Sequence, residues 1–165
     1  MTANEQLIAW LNNAYSMEKA LIPVLENHAK DAENYPEVRE RDLQHAEETR
    51  RQAERLEGCI KELGGSVSSV QSAIGGITGM MQSVSTGIFR DELVKNFIMD
   101  YAAEHFEIAA YKSLIATAQA IGEQRIIPVL QENLREEEAM AQWIEERLAQ
   151  MTQQFIAQKN TASAA

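Results

Sequence analysis

Residues 104–116, EHFEIAAYKSLIA, put acidic side chains inside a stretch that otherwise has the pattern of a buried helix. At about 100° per residue, Glu104 and Glu107 fall on the apolar face that also carries Tyr111 and Ile115. A carboxylate on a buried face is unfavourable unless other groups compensate its charge. The stretch therefore predicts a helix of a helical bundle, with an acidic site in the core.

The apolar spacing along the rest of the chain predicts three further helices. Residues 64–90 between the two helix pairs are rich in Gly and Ser but keep apolar side chains, which predicts a short packed helix within a long connection. Two hairpins joined in this way are typical of an all-α, antiparallel four-helix bundle with a crossover. We expect the bundle to cover residues 1–152 and residues 153–165 to be a disordered tail. The predicted helices are Asn4–Asp31, Pro36–Leu63, Asp91–Ala120 and Glu123–Met151. Pro128 near the start of the last one predicts a later start or a bend.

The composition limits the class of protein. A chain of 165 residues suits one domain, and its only cysteine, Cys59, cannot form an intrachain disulfide. The N-terminus lacks the pattern of a signal peptide, and no apolar run approaches the roughly 20 residues that cross a bilayer. The net charge of −10 opposes binding to nucleic acid or anionic lipid. We expect a cytoplasmic protein without nucleic-acid or membrane partners.

The other three helices also turn titratable side chains inward. Glu18 lies within the apolar stripe of the first helix and Glu137 within that of the fourth, while Glu138 projects outward. On the second helix, His45 shares the inner face and Glu48 lies one turn along, at its edge. Five carboxylates and one imidazole are therefore predicted to face the core.

The same residues are predicted to lie at matching heights. Glu18 is about 13 residues before the end of its helix and Glu48 about 12 after the start of the next, which at roughly 1.5 Å per residue are nearly equal heights. Glu107 and Glu137 match in the same way within the second hairpin, each about 13 residues from their turn. The two pairs could therefore meet in one layer of the bundle.

A metal centre is the arrangement that best explains these acids. Taken one at a time, each glutamate could be a solvated or salt-bridged residue and His45 a satisfied helix histidine. Together in an apolar core they need cations, and oxygen ligands with an imidazole suit iron or manganese. The absence of cysteine pairs argues against structural zinc. His105 points about 100° away from Glu104, and His28 lies near a helix end, so neither is expected in the site. Tyr15 and Tyr111 could donate hydrogen bonds to ligand carboxylates or simply pack in the core.

Three segments resemble a known family. YSMEKALIPVL, HAEETRRQAERLE and EHFEIAAYKSLIA are similar to the corresponding helices of the bacterial YciF/YciE-like ferritin-like proteins, over about residues 4–150. The resemblance implies a ferritin-like bundle, metal binding, a homodimer and an association with stress responses, with no settled reaction. Carried over by position, it implies the metal ligands Glu18, His45, Glu48, Glu104, Glu107 and Glu137. The fourth helix departs from the Glu-x-x-His pattern common in di-iron bundles, because Met140 stands where the histidine would be.

Three functions are compatible with these residues. The first is a di-iron oxidoreductase, with manganese as the alternative metal, that reacts with dioxygen or peroxide. The second is a non-catalytic stress or structural protein whose two ions stabilise the bundle and whose protein partner is unknown. The third is iron storage in a cage, for which the sequence carries no assembly signal.

Overall fold

The computed structural model describes residues 1–68 and 92–162, and these residues form four long helices. One 3-10 turn, Gln124–Ile126, precedes the last helix, and the described residues contain no strand. The short helix predicted within the connection lies outside the described residues. The helices are α1 (Ala3–Asp31), α2 (Pro36–Glu62), α3 (Glu92–Ile121) and α4 (Ile127–Ala162).

Local signals in the sequence determine where the helices begin and end. Thr2 caps α1 in a capping box with Glu5, in which each side chain bonds the other's backbone N–H. Gly122 follows α3 with φ +83°, a conformation that a side chain disfavours, so the helix ends there. Pro128 is the second residue of α4, where its missing N–H breaks no helical hydrogen bond. Of the two predicted effects of Pro128, the later start is the one observed.

All four neighbouring helix pairs run antiparallel. Within the hairpins α1 packs on α2 and α3 on α4, and across the hairpins α1 packs on α3 and α2 on α4. The direction across hairpins follows from side-chain pairs: His28 and Asp31, late in α1, bond Asp100 and Asn96, early in α3. α3 therefore starts at the end of the bundle opposite to where α2 stops. This is the predicted antiparallel bundle with a crossover.

The last helix is longer than predicted. It continues past Met151 to Ala162, so the segment expected to be a disordered tail is helical through residue 162. Ala, Gln and Lys are good helix formers, and the hydroxyl of Tyr35 at the α1–α2 turn donates a 2.8 Å hydrogen bond to Gln158 Oε1. The polar composition of residues 153–165 indicated exposure, but exposure does not prevent a helix that is docked at its end.

The buried side chains form two apolar clusters with polar residues between them. The cluster toward the start of α1 contains Leu11, Leu56 and Tyr111, and the one toward the α1–α2 turn contains Val38 and Phe97. Between these clusters lie buried glutamates and a histidine from all four helices. No helix among the described residues is both long and apolar enough to cross a membrane.

Candidate metal centre

Two groups of ligand atoms meet in the polar layer of the core. The first combines His45 of α2 with Glu104 and Glu137, and the second combines Glu18 of α1 with Glu107 and Glu137. In each group the three candidate atoms lie within 4.8 Å of one another. Glu137 of α4 belongs to both groups. A carboxylate shared in this way could bridge two cations.

These five side chains are withdrawn from solvent, and three of them have buried oxygens without a hydrogen-bond partner among the described residues. Each is at most 2% exposed. One carboxylate oxygen of Glu18, one of Glu104 and both of Glu137 are buried and accept no hydrogen bond from the described residues. Native proteins rarely leave such oxygens unpaired, because desolvation without a partner is costly. Cations would satisfy the unpaired oxygens, and the donor set of four carboxylates and one imidazole fits iron or manganese.

The ring of His45 is held between acids on both sides. Its Nε2 lies 3.1 Å from Glu104 Oε1 and, without forming a hydrogen bond, 3.5 Å from Glu137 Oε2. Its Nδ1 lies 3.0 Å from Glu48 Oε2. Burial lowers the pKa of His45, but Glu104, Glu48 and Glu137 outweigh burial and raise it well above its usual value. Without metal the ring therefore carries both protons, and the Nε2 proton must leave before a cation can bind there.

Glu48 lies behind the histidine, outside both groups. Besides His45, it accepts hydrogen bonds from Arg41 Nη1 at 3.0 Å and from Gln44 Nε2 at 2.8 Å. Burial raises the pKa of Glu48, but these hydrogen bonds outweigh burial and lower it to about 2. The structure thus gives Glu48, predicted as a sixth ligand, a different place: it fixes the ring of His45 so that Nε2 faces the site, an arrangement common behind ligating histidines.

Burial and mutual repulsion disfavour the charged forms of the central acids. Burial raises the pKa of Glu18 to about 7, although the hydrogen bond from Tyr111 opposes this rise. Burial and then Glu18 raise the pKa of Glu107 well above its usual value. Burial and then Glu104 do the same for Glu137. The metal-free site therefore takes up protons on folding, and a cation would replace them.

A polar chain, of which the sequence analysis identified only Tyr111, connects the site to the surface. Tyr111 donates its hydroxyl proton to Glu18 Oε1, and Asn133 Nδ2 donates to the Tyr111 oxygen at 2.9 Å. Arg55 Nη1 donates to Asn133 Oδ1 at 3.0 Å, which establishes the orientation of that amide because a guanidinium cannot accept. Asn133 is four residues before Glu137, and that spacing is the signal that could have revealed it.

The remaining histidines lie outside the site, as predicted. His105 is exposed and packs its ring edge-on against Tyr101. His28 pairs through Nδ1 with Asp100 Oδ1 at 2.8 Å, nearer the α1–α2 turn. Met140 is buried in the apolar cluster on that side of the polar layer, so α4 brings only Glu137 to the two groups.

The opposing pKa shifts predict how the stability of metal-free protein depends on pH. The pKa of Glu18 rises from 4.5 to about 7. Its contribution to the free energy of unfolding is therefore full below pH 4.5 and is lost as pH rises through about 7. The pKa of His45 is also raised, from 6.5, so its contribution to the free energy of unfolding is likewise lost as pH rises. The pKa of Glu48 is lowered to about 2, so its contribution is lost as pH falls below 4.5.

We therefore expect the melting temperature of the chelated protein to be highest at about pH 5 and to fall by several degrees toward about pH 7.5. Scanning calorimetry in a chelator across this range measures the change. Adding ferrous iron should reverse the slope, because metal binding releases protons. A melting temperature that rises from pH 5 to 7.5 in chelator would contradict the assignment of raised pKa values.

Comparison with known proteins agrees with this fold. YciF of Escherichia coli K12 is 28% identical over 145 residues, which cover 84% of this chain and 85% of YciF. The crystal structure of that stress protein has a TM-score of 0.78, with coverage of 90% and 96% of the two chains. A protein from Xanthomonas campestris pv. campestris is 31% identical, covers 96% and 99% of the chains, and has a TM-score of 0.83.

The X-ray structure of a bacterioferritin from Desulfovibrio desulfuricans, which describes a di-iron site in different catalytic states, is similar to this chain in fold. It is 20% identical, with a TM-score of 0.74 and coverage of 92% and 82% of the two chains. The predicted ferritin-like bundle and the resemblance to YciF are thus confirmed.

The sequence model of one protein family, DUF892 (domain of unknown function), matches residues 2–157. The chain belongs to the DUF892 family.

Proposed function

We propose that the chain binds two iron ions, with manganese as the alternative, and that the loaded centre reacts with dioxygen or hydrogen peroxide. The observation that carries the proposal is the sharing of Glu137 by two groups of buried ligands. One cation position is formed by His45, Glu104 and Glu137, and the other by Glu18, Glu107 and Glu137. The four carboxylates balance the charge of two divalent ions. A buried site requires such a balance of charge.

The chain's own residues would control the reaction. When bound, a pair of ferrous ions supplies two electrons to a small oxidant. Glu48 holds the His45 ring, and Tyr111 holds one oxygen of Glu18, so that the other oxygen is free for a cation. Because every ligand is at most 2% exposed, only a small oxidant fits the site without rearrangement of the bundle. The burial supports dioxygen or peroxide over a larger organic substrate.

Two of the similar proteins support the proposal. The Desulfovibrio bacterioferritin has a di-iron site on the same fold, and Escherichia coli YciF is a stress protein. A peroxide-consuming centre would suit a stress protein.

A non-catalytic role is the second candidate, and the position of the site favours it. Cations between the two apolar clusters would cross-link all four helices and stabilise the bundle. Stopped-flow mixing of the ferrous protein with one equivalent of hydrogen peroxide per pair of ions separates the two. Rapid oxidation of both ferrous ions to ferric ions, as the peroxide is reduced to water, supports a reactive centre, and bound iron that stays ferrous supports a structural role. We propose a homodimer as the assembly. A particle mass far above that of a dimer would instead support iron storage in a cage.

Metal content is the first measurement to make. Protein purified without added metal should contain more than one iron or manganese ion per chain, and anaerobic reconstitution with ferrous iron should approach two. Inductively coupled plasma mass spectrometry and isothermal titration give both values. Protein that stays metal-free and refuses iron on reconstitution would rule out the metal centre.

A further inference from the structure

Gln52 is a buried side chain next to the site with one unpaired atom. It lies on α2, seven residues or about two turns after His45, and has no exposed surface. Its Nε2 donates a 3.0 Å hydrogen bond to Glu136 Oε2. Its Oε1 is buried and accepts no hydrogen bond from the described residues. An unpaired buried carbonyl oxygen is unfavourable, so a partner other than the described residues is expected.

The orientation of this amide follows from its partner. A carboxylate can only accept hydrogen bonds, so the nitrogen of Gln52 must face Glu136 and its oxygen must face away. Arg55 holds that carboxylate with Nη1 at 2.7 Å from Oε2 and Nη2 at 3.1 Å from Oε1. The surface ion pair thus keeps the carbonyl of Gln52 directed away from Glu136.

A chain of hydrogen bonds links Gln52 to a ligand of the second cation position. Asn133 Nδ2 lies 3.4 Å from the backbone oxygen of Gln52 and 2.9 Å from the hydroxyl of Tyr111, which bonds Glu18. Glu18 belongs to the second group of ligands. α1, α3 and α4 each supply a carboxylate to that group, whereas α2 supplies only His45, which belongs to the first.

We infer that Gln52 Oε1 is the contribution of α2 to the second cation position, as a neutral oxygen donor. The inference rests on the proposed dinuclear centre. Charge supports an amide here: Glu18, Glu104, Glu107 and Glu137 already balance two divalent ions, so a fifth carboxylate would leave the buried centre with an excess negative charge. Gln52 at the second position then corresponds to the neutral imidazole at the first.

Gln52→Met tests this role, because it keeps the length of the side chain and removes both polar atoms. We expect the second ferrous ion to bind about 10- to 100-fold more weakly, as when other residues supporting a metal site are lost, while the first ion is unaffected. Anaerobic titration calorimetry with ferrous iron resolves the two steps. Gln142→Met is the matched control, because Gln142 is exposed and bonds only Glu146 among the described residues.

The metal-free melting temperature separates this role from a structural one. Removing the unpaired carbonyl should offset the loss of the Nε2 hydrogen bond to Glu136, which keeps Arg55 as a partner, so this temperature should change little. A purely structural Gln52 predicts a lower melting temperature with unchanged affinity. If Gln52→Met does not fold, Glu136→Gln replaces it as the test. A neutral amide at position 136 allows the amide of Gln52 to rotate by about 180°, which exchanges its oxygen and nitrogen. The affinity for the second ion should then fall. Wild-type binding of both ions by either folded variant would overturn the inference. Wild-type protein that binds no ion would instead overturn the proposed function.

Discussion

Glu137→Ala is expected to abolish paired metal binding, because it removes the one carboxylate that both ligand groups share. Each position would keep only two of its three candidate ligands. The loss should exceed the roughly 10- to 100-fold effect of removing a residue that only supports a ligand. Titration with ferrous iron should show at most one weakly bound ion. Glu137→Gln, which keeps the shape of the side chain, should lose the bridge in the same way.

Glu138→Ala is the matched control for this experiment. Glu138 is adjacent in sequence but exposed, and it pairs with Lys112 Nζ at 3.0 Å on the surface. A surface pair of this kind is worth at most about 1 kcal/mol, so metal binding should stay at the wild-type level. Equal losses from the two variants would contradict the assignment of Glu137 as the shared ligand.

Glu18→Gln and Glu107→Gln are expected to stabilise the metal-free protein while weakening its response to metal. At pH 7 the wild-type chain must protonate buried acids in order to fold. For Glu18, a pKa raised from 4.5 to about 7 corresponds to a cost of about 3 kcal/mol. An amide avoids this cost, so the melting temperature in chelator should rise by several degrees, at about 2–4 °C per kcal/mol for a chain of this size.

The same two variants should gain less from ferrous iron. Binding to the folded state stabilises wild type by about 4 kcal/mol when free metal is a thousand times the dissociation constant. A missing carboxylate lowers that affinity. Melting curves in chelator and in ferrous iron therefore should show opposite changes for these variants. If both variants melt below wild type in chelator, these acids belong to structural ion pairs rather than to a strained site.

Glu48→Gln provides the contrast within the same layer. The pKa of Glu48 is lowered to about 2 by His45 and Arg41, against burial, so its charge stabilises the fold at neutral pH. Neutralising it should lower the melting temperature in chelator, the opposite of the change expected for Glu18→Gln. A rise for all three variants would indicate that general repulsion among acids, and not the position of each acid, determines the stability.

The sequence alone determined the helices and their inner faces. Apolar spacing is a local signal, and it predicted α1, α2 and α3 to within a few residues. The inward direction of Glu18, Glu104, Glu107 and Glu137 followed from the same periodicity, because a side chain's angle on a helix depends only on its position in the helix. The end of α4 was missed, since the contact between Tyr35 and Gln158 joins distant parts of the chain.

Only the tertiary structure decided which inward residues meet, because distances between helices depend on how the helices pack and not on spacing within one of them. It placed Glu137 in both groups and Glu48 behind His45, although the family resemblance implied that both acids are metal ligands. It also brought Arg55 and Asn133 together across α2 and α4, which orients Tyr111 toward Glu18. Periodicity gives the face of each helix, and packing between helices gives the partner of each side chain.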